Sequence, residues 1–504
     1  MSLAPVAPGR PLFWPPIVER LQALLPRAPV HIVGGAVRDA FLHRPLKDLD
    51  LAAPSDGRPL ARRIANALRG AYYPLDAQRG VGRALIVWQD ENITIDVAQY
   101  RGADLLADLT LRDFTVNAMA VSLGGDLQHI IDPLGGLDDL QARRLRMCTP
   151  EALADDPVRS LRAIRLSLTF GLLIEPATRQ AVRAAAPHLA RCSAERIRDE
   201  FFAILSTARP AAGLAALQQL GLLAQVVPEA ESLIGIAQPP PHRYDVWRHT
   251  LAVVERLAAI VRLLTAPSAA EAANAQLGLI AFALARYRVQ LAEHLAAQWA
   301  GQHAHPALLA LAALLHDSGK PESMRSGASH YPETPAFPQH EQIGAAIAER
   351  RAAALRLSNE EIARLETIVR HHMRPLWLYS GEPVSKRAVH RFWRDTDRAG
   401  IDICLLAMAD YLATYGLALD TRDWVHYLEH IHRLLEGYFD RYDTEVAPPA
   451  LVTGRDLLHH LRLEPGPLLG ELLEKITEAQ VEGHITNKEE ALDWARRLLD
   501  ARES

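Results

Sequence analysis

"VGGAVRDAFLHRPLKDLDLA", Val33 to Ala52, places two chemically loaded pairs on either side of a short helical segment. Gly34-Gly35 lies between the apolar run "PVHIV" and "AVRDAFL", the pattern of a strand turning directly into a helix. Such a turn leaves backbone N–H groups open at the helix start, where phosphate binds well. Arg38 follows one turn further on. Asp48 and Asp50 then alternate with Leu49 and Leu51 along a β-like run. Residues i and i+2 of a strand share a face, so the two carboxylates stand side by side. Adjacent like charges disfavour each other's ionisation. A divalent cation removes that conflict, and Mg²⁺ characteristically takes one or two carboxylates together with substrate phosphates. Asp96, within the strand-like "ITIDVAQY", is a third carboxylate. Three of them suffice for the two-metal arrangement that transfers phosphoryl and nucleotidyl groups.

The rest of the chain supplies the frame. With 504 residues, 49% hydrophobic and 23% charged, the sequence is that of a folded protein of several domains. Alanine and leucine dominate and aromatics make up only 6%, which favours helix. Cys148, Cys192 and Cys404 have no metal-like spacing, which argues against a disulfide framework or zinc knuckle and fits a reducing cytoplasm. The start, "MSLAPVAPGRPLFWPP", has no apolar signal-peptide core. No uninterrupted apolar run suggests a membrane span, so no membrane partner is expected. A net charge of −5 does not advertise nucleic-acid binding, so such a role must rest on local basic patches. Strand and helix signals mix up to about residue 150, after which the pattern is almost wholly helical. "AQPPPHRYD" and "EVAPPALVTGRDLL" punctuate the helical part.

Three further segments follow the carboxylates in order: "LRDFTVNAMAV" (111–121), "IDPLGGLDDLQARRLR" (131–146) and "ADDPVRSLRAIRLSLTF" (154–170). In the last, Asp156 and Arg159 are three apart and are expected on one face of a helix. A carboxylate beside a guanidinium matches donor and acceptor atoms on a base edge. Arg162 and Arg165 extend the same face as a basic stripe able to meet phosphate. Together with "VGGAVRDAFLHRPLKDLDLA" and "CSAERIRDEFFAIL" (192–205), these segments resemble the ordered motifs of class II tRNA nucleotidyltransferases (CCA-adding enzymes) and bacterial poly(A) polymerases.

The resemblance implies roles. Asp48, Asp50 and Asp96 would be catalytic, the first two holding Mg²⁺. Gly34, Gly35, Arg38, Arg112, Asp113 and Asn117 would hold triphosphate and ribose. Asp155, Asp156, Arg159, Arg162 and Arg165 would bind and select the nucleotide, with Glu195 and Arg196 buttressing that helix. Two positions depart from the family's usual pattern: Leu111 stands where it has Arg, and Asp155 where it has Glu. The segment between Asp96 and Arg112 is compact, where many CCA-adding relatives carry a longer one.

In the helical body, His249, His316-Asp317 and Asp410 lie in apolar runs, and buried imidazoles and carboxylates need partners. A His/His/Asp/Asp set suits a divalent transition metal, Mn or Ni here. The order H…HD…D resembles the HD phosphohydrolase superfamily. His340 and His371 are additional candidates, and Lys320 is a candidate phosphate contact.

The expected architecture is α+β. A nucleotidyltransferase (polymerase β-like) head at 28–150 precedes an all-α remainder: a neck at 151–236, an HD domain at 240–440 and a tRNA-binding tail at 446–504. The expected reaction adds CMP and/or AMP from CTP and ATP to a tRNA 3′ end, in the cytoplasm. A poly(A) polymerase, or an HD phosphohydrolase with an RNA-binding head, stands as the alternative. Oligomeric state and C-versus-A scope are open at this stage.

Overall fold

A computed structural model describes residues 3–26, 28–266, 274–299, 301, 303–325, 335–379 and 383–503. The chain forms two compact units, residues 1–200 with 216–225, and residues 201–215 with 226–504.

The first unit is built on a mixed eight-stranded sheet. In chain order its strands are β1 (Pro5–Val6), β2 (His31–Val33), β3 (Asp48–Ala53), β4 (Ala71–Asp76), β5 (Val81–Trp88), β6 (Glu91–Gln99), β7 (Ala120–Ser122) and β8 (Ile130–Ile131). They lie in the order β1-β8-β7-β2-β3-β6-β5-β4. Strand β3 runs antiparallel to β2 and parallel to β6. Its alternation explains its place: Leu49 and Leu51 are buried in the core, which turns Asp48 and Asp50 to the other face. Three short helices then pack beside the sheet: Gly35–Phe41, Arg58–Ala67 and Leu105–Thr110. Beyond the sheet the chain turns helical, with Arg159–Phe170 and Ala194–Leu205 following.

The second unit is helical. Val246–Thr265, His305–Leu315, His340–Ala354, Asn359–His371 and Ala399–Tyr415 form its centre, where Ala307 to Leu315 are all buried. The segment Ala399–Ala418 is long and apolar enough to cross a bilayer, which the sequence reading did not anticipate, yet 72% of its 18-residue apolar stretch is buried inside the protein. It is used as a core helix. Three helices close the chain, Gly454–Leu461, Pro467–Glu482 and Lys488–Glu503, around a small core that includes Leu457, Leu472, Ile476 and Ala491. They join the preceding helix Lys386–Thr396 through Glu478, whose carboxylate accepts from Arg387 and Arg391 at 2.5 Å each.

Candidate active site and metal centre

The head site gathers around β3. Strand register sets Asp50 directly beside Asp96 on β6 and beside Val33 on β2, so Gly34 follows at the end of β2. Gly34 has φ +74°, the left-handed region that glycine adopts without strain. A Cβ there would lie 2.9 Å from Arg112 Nη1 and 3.5 Å from Asp50 Oδ2. That measurement brings the glycine turn, the carboxylates and the "LRDFTVNAMAV" segment to one point. Asp50 is open to solvent on one side and surrounded by protein on the others. Its carboxyl is raised above the usual range, first by lost hydration and then by Asp96 and Asp48, against a lowering pull from Arg112. Asp96 is not free to the same degree, because Arg83 holds both its oxygens at 2.8 Å.

A continuous polar chain leads away from this point. Arg38, 7% exposed, donates to Asn117 Oδ1 at 2.5 Å and to both oxygens of Asp39, and lies 4.1 Å over the Phe170 ring. Asn117 donates to Asp113 at 3.1 Å, and Asp113 also accepts from Arg162 at 3.1 Å. Arg162 and Arg165 then both donate to Glu200 at 2.7 Å. Burial alone would raise the carboxyls of Asp113 and Glu200, but Arg162 acting on the first and Arg165 with Arg162 on the second hold them below the usual range. The expected open basic stripe is therefore corrected: Arg162 and Arg165 are clasped by carboxylates. Glu200 is one residue that sequence reasoning missed. Its one signal is a charge directly before Phe201-Phe202, two buried aromatics.

Asp156 and Arg159 also sit differently from expectation. The helix breaks at Asp156 before Pro157 and restarts at Arg159, so the two do not share a continuous helical face. They nevertheless meet across the break at 3.6 Å, and Arg196 donates to Asp156 at 2.7 Å. Arg159 also donates to the backbone carbonyls of Leu111 and Arg112, at 3.2 and 3.3 Å. Asp155 ends the short helix Ala152–Asp155 and is exposed. Arg112 itself is held by buried Asp108, through Nε at 3.1 Å and Nη2 at 2.9 Å.

In the second unit, His249, His316, Asp317, His340, His372 and Asp410 converge. His249 Nε2 is 3.0 Å from Asp410 and 3.8 Å from Asp317, while His316 Nε2 is 3.2 Å and His340 Nε2 3.4 Å from Asp317. The Nε2 atoms of all four histidines are buried and make no hydrogen bond of good geometry, despite the nearby carboxylates. Such orphans are costly unless a ligand satisfies them. This donor set therefore fits a divalent metal. His372, not the expected His371, supplies the sixth group. The helix Asn359–His371 ends just before it, and its Nδ1 bonds the Val369 carbonyl at 2.7 Å. A cavity of about 310 Å³ opens beside the cluster, walled by Phe337, Tyr411, Tyr415 and Tyr427, with Lys320 at its edge. Lys320 donates to Asp317 at 2.7 Å and to Gln238 at 2.6 Å.

A second buried trio, His294, His305 and Asp402, is of another kind. Both histidines bond Asp402 Oδ1, at 2.8 and 2.7 Å, and Arg364 approaches Oδ2 at 3.3 Å. The carboxylate is thus satisfied by the protein and already faces a fixed cation.

Similarity to known proteins covers the segments that carry both sites. Residues 30–146 match the poly A polymerase head domain, 284–415 the HD domain and 448–495 the tRNA nucleotidyltransferase domain 2. Residues 171–234 match the "Probable RNA and SrmB- binding site of polymerase A". The A-adding tRNA nucleotidyltransferase of Deinococcus radiodurans is 31% identical over 482 residues, covering 93% of this chain and 95% of that protein. This chain belongs to the class II tRNA nucleotidyltransferase family. The CC-adding tRNA nucleotidyltransferase of Thermus thermophilus is likewise 31% identical, covering 91% of each chain. Among solved structures, a CCA-adding enzyme in complex with ATP superposes with a TM-score of 0.62 at 19% identity, over 96% of each chain. The Thermotoga maritima CCA-adding enzyme in complex with tRNA gives 0.56 at 19% identity, again over 96% of each. The expected fold class, a nucleotidyltransferase head followed by helical domains, agrees with these structures.

Proposed function

We propose that this chain adds CMP and/or AMP, from CTP and ATP, to the 3′ end of tRNA without a nucleic-acid template. The observation that carries this reading is the convergence of Asp48, Asp50, Gly34 and Arg112 at one end of β3. Kinship with A-adding and CC-adding enzymes along nearly the whole chain supports it.

Asp48 and Asp50 would hold Mg²⁺, and Asp96, restrained by Arg83, keeps the second carboxylate's surroundings negative. The chemistry such an ion would supply there is acidification of the tRNA terminal hydroxyl and charge stabilisation of the leaving pyrophosphate. Gly34, Gly35, Arg38 and Arg112 cradle the triphosphate: the glycines let backbone approach it, and the guanidiniums match its charge. Asp113 and Asn117, locked in the Arg38–Arg162 chain, face the ribose. Asp156, oriented by Arg159 and Arg196, presents acceptor atoms to the base edge while Arg159 presents the donors, with Asp155 beside it. Arg162 and Arg165 act through Glu200 by fixing that helix.

The same reading divides the chain into a head (28–150), a neck (151–236), an HD domain (240–440) and a tail (446–504). The HD cluster would hold a divalent transition metal, Mn or Ni, for hydrolysis of phosphate esters. The four buried imidazole nitrogens without a hydrogen bond favour a bound metal there.

Asp48→Ala is expected to abolish nucleotide incorporation into tRNA while leaving the circular dichroism spectrum unchanged. Near-full incorporation by that variant would overturn the assignment.

A further inference from the structure

We propose that Arg83 is a latch on the head site, occupying the Asp96 carboxylate until a backbone phosphate of the acceptor RNA draws it away. This rests on the reading of the head as a nucleotidyl-transfer site. Strand register puts Arg83 on β5 directly opposite Asp96 on β6, and Asp96 directly beside Asp50 on β3. Arg83 Nε and Nη2 each donate at 2.8 Å, one to each oxygen of Asp96. Both oxygens are thus taken, and neither is open to a cation or a proton. Arg83 has no other ion pair among the described residues, and its side chain is 38% exposed.

The other guanidiniums of the site are held differently. Arg38 is fixed by Asp39, Arg112 by buried Asp108, and Arg162 by Asp113 and Glu200, all carboxylates outside the group of Asp48, Asp50 and Asp96. Of these four arginines, Arg83 is the one anchored by that group, and it is the most exposed. Its surroundings indicate what displaces it. Arg83, Leu85 and Val87 share a face of β5, and the register carries that face across Asp96 to Asp50 and Asp48. Tyr73 on β4 pairs with Arg83, and Tyr73, Leu85 and Val87 are all exposed. An aromatic ring, apolar side chains and a guanidinium together suit single-stranded nucleic acid, with bases on the apolar groups and phosphate on the cation. Strands lie about 4.8 Å apart, so Arg83 stands about 10 Å from Asp50, where the attacking hydroxyl must arrive. The phosphate behind the terminal nucleotide then falls within reach of the arginine's long stem. Phosphate matches the guanidinium fork as a carboxylate does, so Arg83 exchanges one paired anion for another. Asp96 is freed beside Asp50 only once the acceptor is seated. Until then the site is a poorer catalyst of the wasteful reaction, in which water attacks the α-phosphorus and pyrophosphate leaves.

The test is a double-mutant cycle on the full chain, read by fluorescence anisotropy of a labelled tRNA ending in CC, without nucleotide. Arg83→Gln should weaken binding about tenfold and reduce the dependence of log Kd on log salt by about 0.7, the share of one single-strand phosphate. Asp96→Asn should tighten binding about fivefold in the parent chain but less than about twofold beside Arg83→Gln, because the gain comes from the released arginine. Arg83→Lys keeps a point charge for phosphate without clasping both carboxylate oxygens, so it should retain the parent's salt dependence. Without RNA, both Arg83 variants should release pyrophosphate from CTP by hydrolysis about fivefold faster than the parent. Circular dichroism confirms that the variants fold. An Asp96→Asn gain that is equal with and without Arg83, a salt dependence that Arg83→Lys loses as Arg83→Gln does, or unchanged hydrolysis in both Arg83 variants would overturn the latch. Failure of the parent chain to bind the tRNA would overturn the nucleotidyl-transfer reading beneath it.

Discussion

Glu200→Gln probes the polar chain that ties the base-selecting segment to the ribose site. The carboxylate takes charge-assisted bonds from Arg162 and Arg165, and Arg162 also holds Asp113. Glutamine keeps only one of the two accepting oxygens, and its amide turns a donor toward the arginine that the other oxygen served. A hydrogen bond to a charged group contributes about 1.5–3 kcal/mol. The two arginines are about a third exposed, which screens the loss. The expected local destabilisation is therefore about 2 kcal/mol, or roughly 30-fold faster amide exchange in Arg159–Phe170 under conditions of rapid reclosing. The nucleotide KM should rise with it, since Asp113 loses a partner's anchor. Acidification supplies an internal control. Asp113 and Glu200 titrate below their ordinary values in the fold, so their stabilisation is present above pH of about 4 and is lost as pH falls through the lowered values. The wild-type protection in that helix should decline with acid, and the Glu200→Gln protein should lose the part of that decline due to Glu200. Exchange changing less than threefold, with an unaltered KM, would refute the reasoning.

Other consequences follow from the same geometry. Gly34→Ala forces a side chain into a left-handed conformation, costing about 1–2 kcal/mol, and drives Cβ against Arg112, which Asp108 holds in place. Steady-state incorporation assays should show kcat/KM down by roughly 10- to 100-fold, consistent with about 1.4–2.7 kcal/mol. In the metal-free site the Asp50 carboxyl is raised by burial and by Asp96 and Asp48 against the pull of Arg112, so protons compete with Mg²⁺ there, and titrations of incorporation against Mg²⁺ should need more metal for half-maximal activity as pH falls. His316→Ala should leave tRNA nucleotide addition within about twofold while removing phosphate-ester hydrolysis, a separation expected of sites grafted independently on a fold.

What the sequence disclosed was local. The strand–glycine–helix turn, the alternating carboxylates of β3 and the order of the later motifs each follow from a few neighbouring residues. So does the contrast between an α/β head and a helical remainder. What stayed hidden depended on where helices stop or on distant partners. Pro157 breaks the helix between Asp156 and Arg159, yet a three-residue spacing alone suggested one face. Choosing His372 over His371 required knowing where the helix ends. Glu200 meets Arg162 from 38 positions away, and Asp402 meets His294 across 108, distances that no periodicity encodes.

The central claim is tested most directly by the products themselves. The purified protein would be given three tRNAs, one lacking CCA, one ending in C and one ending in CC, with labelled CTP and ATP separately and together. The account predicts Mg²⁺-dependent addition that stops at or before a completed CCA end, with no addition by the Asp48→Asn, Asp50→Asn protein. Long tails of A on any RNA, or incorporation that survives the loss of both carboxylates, would contradict it.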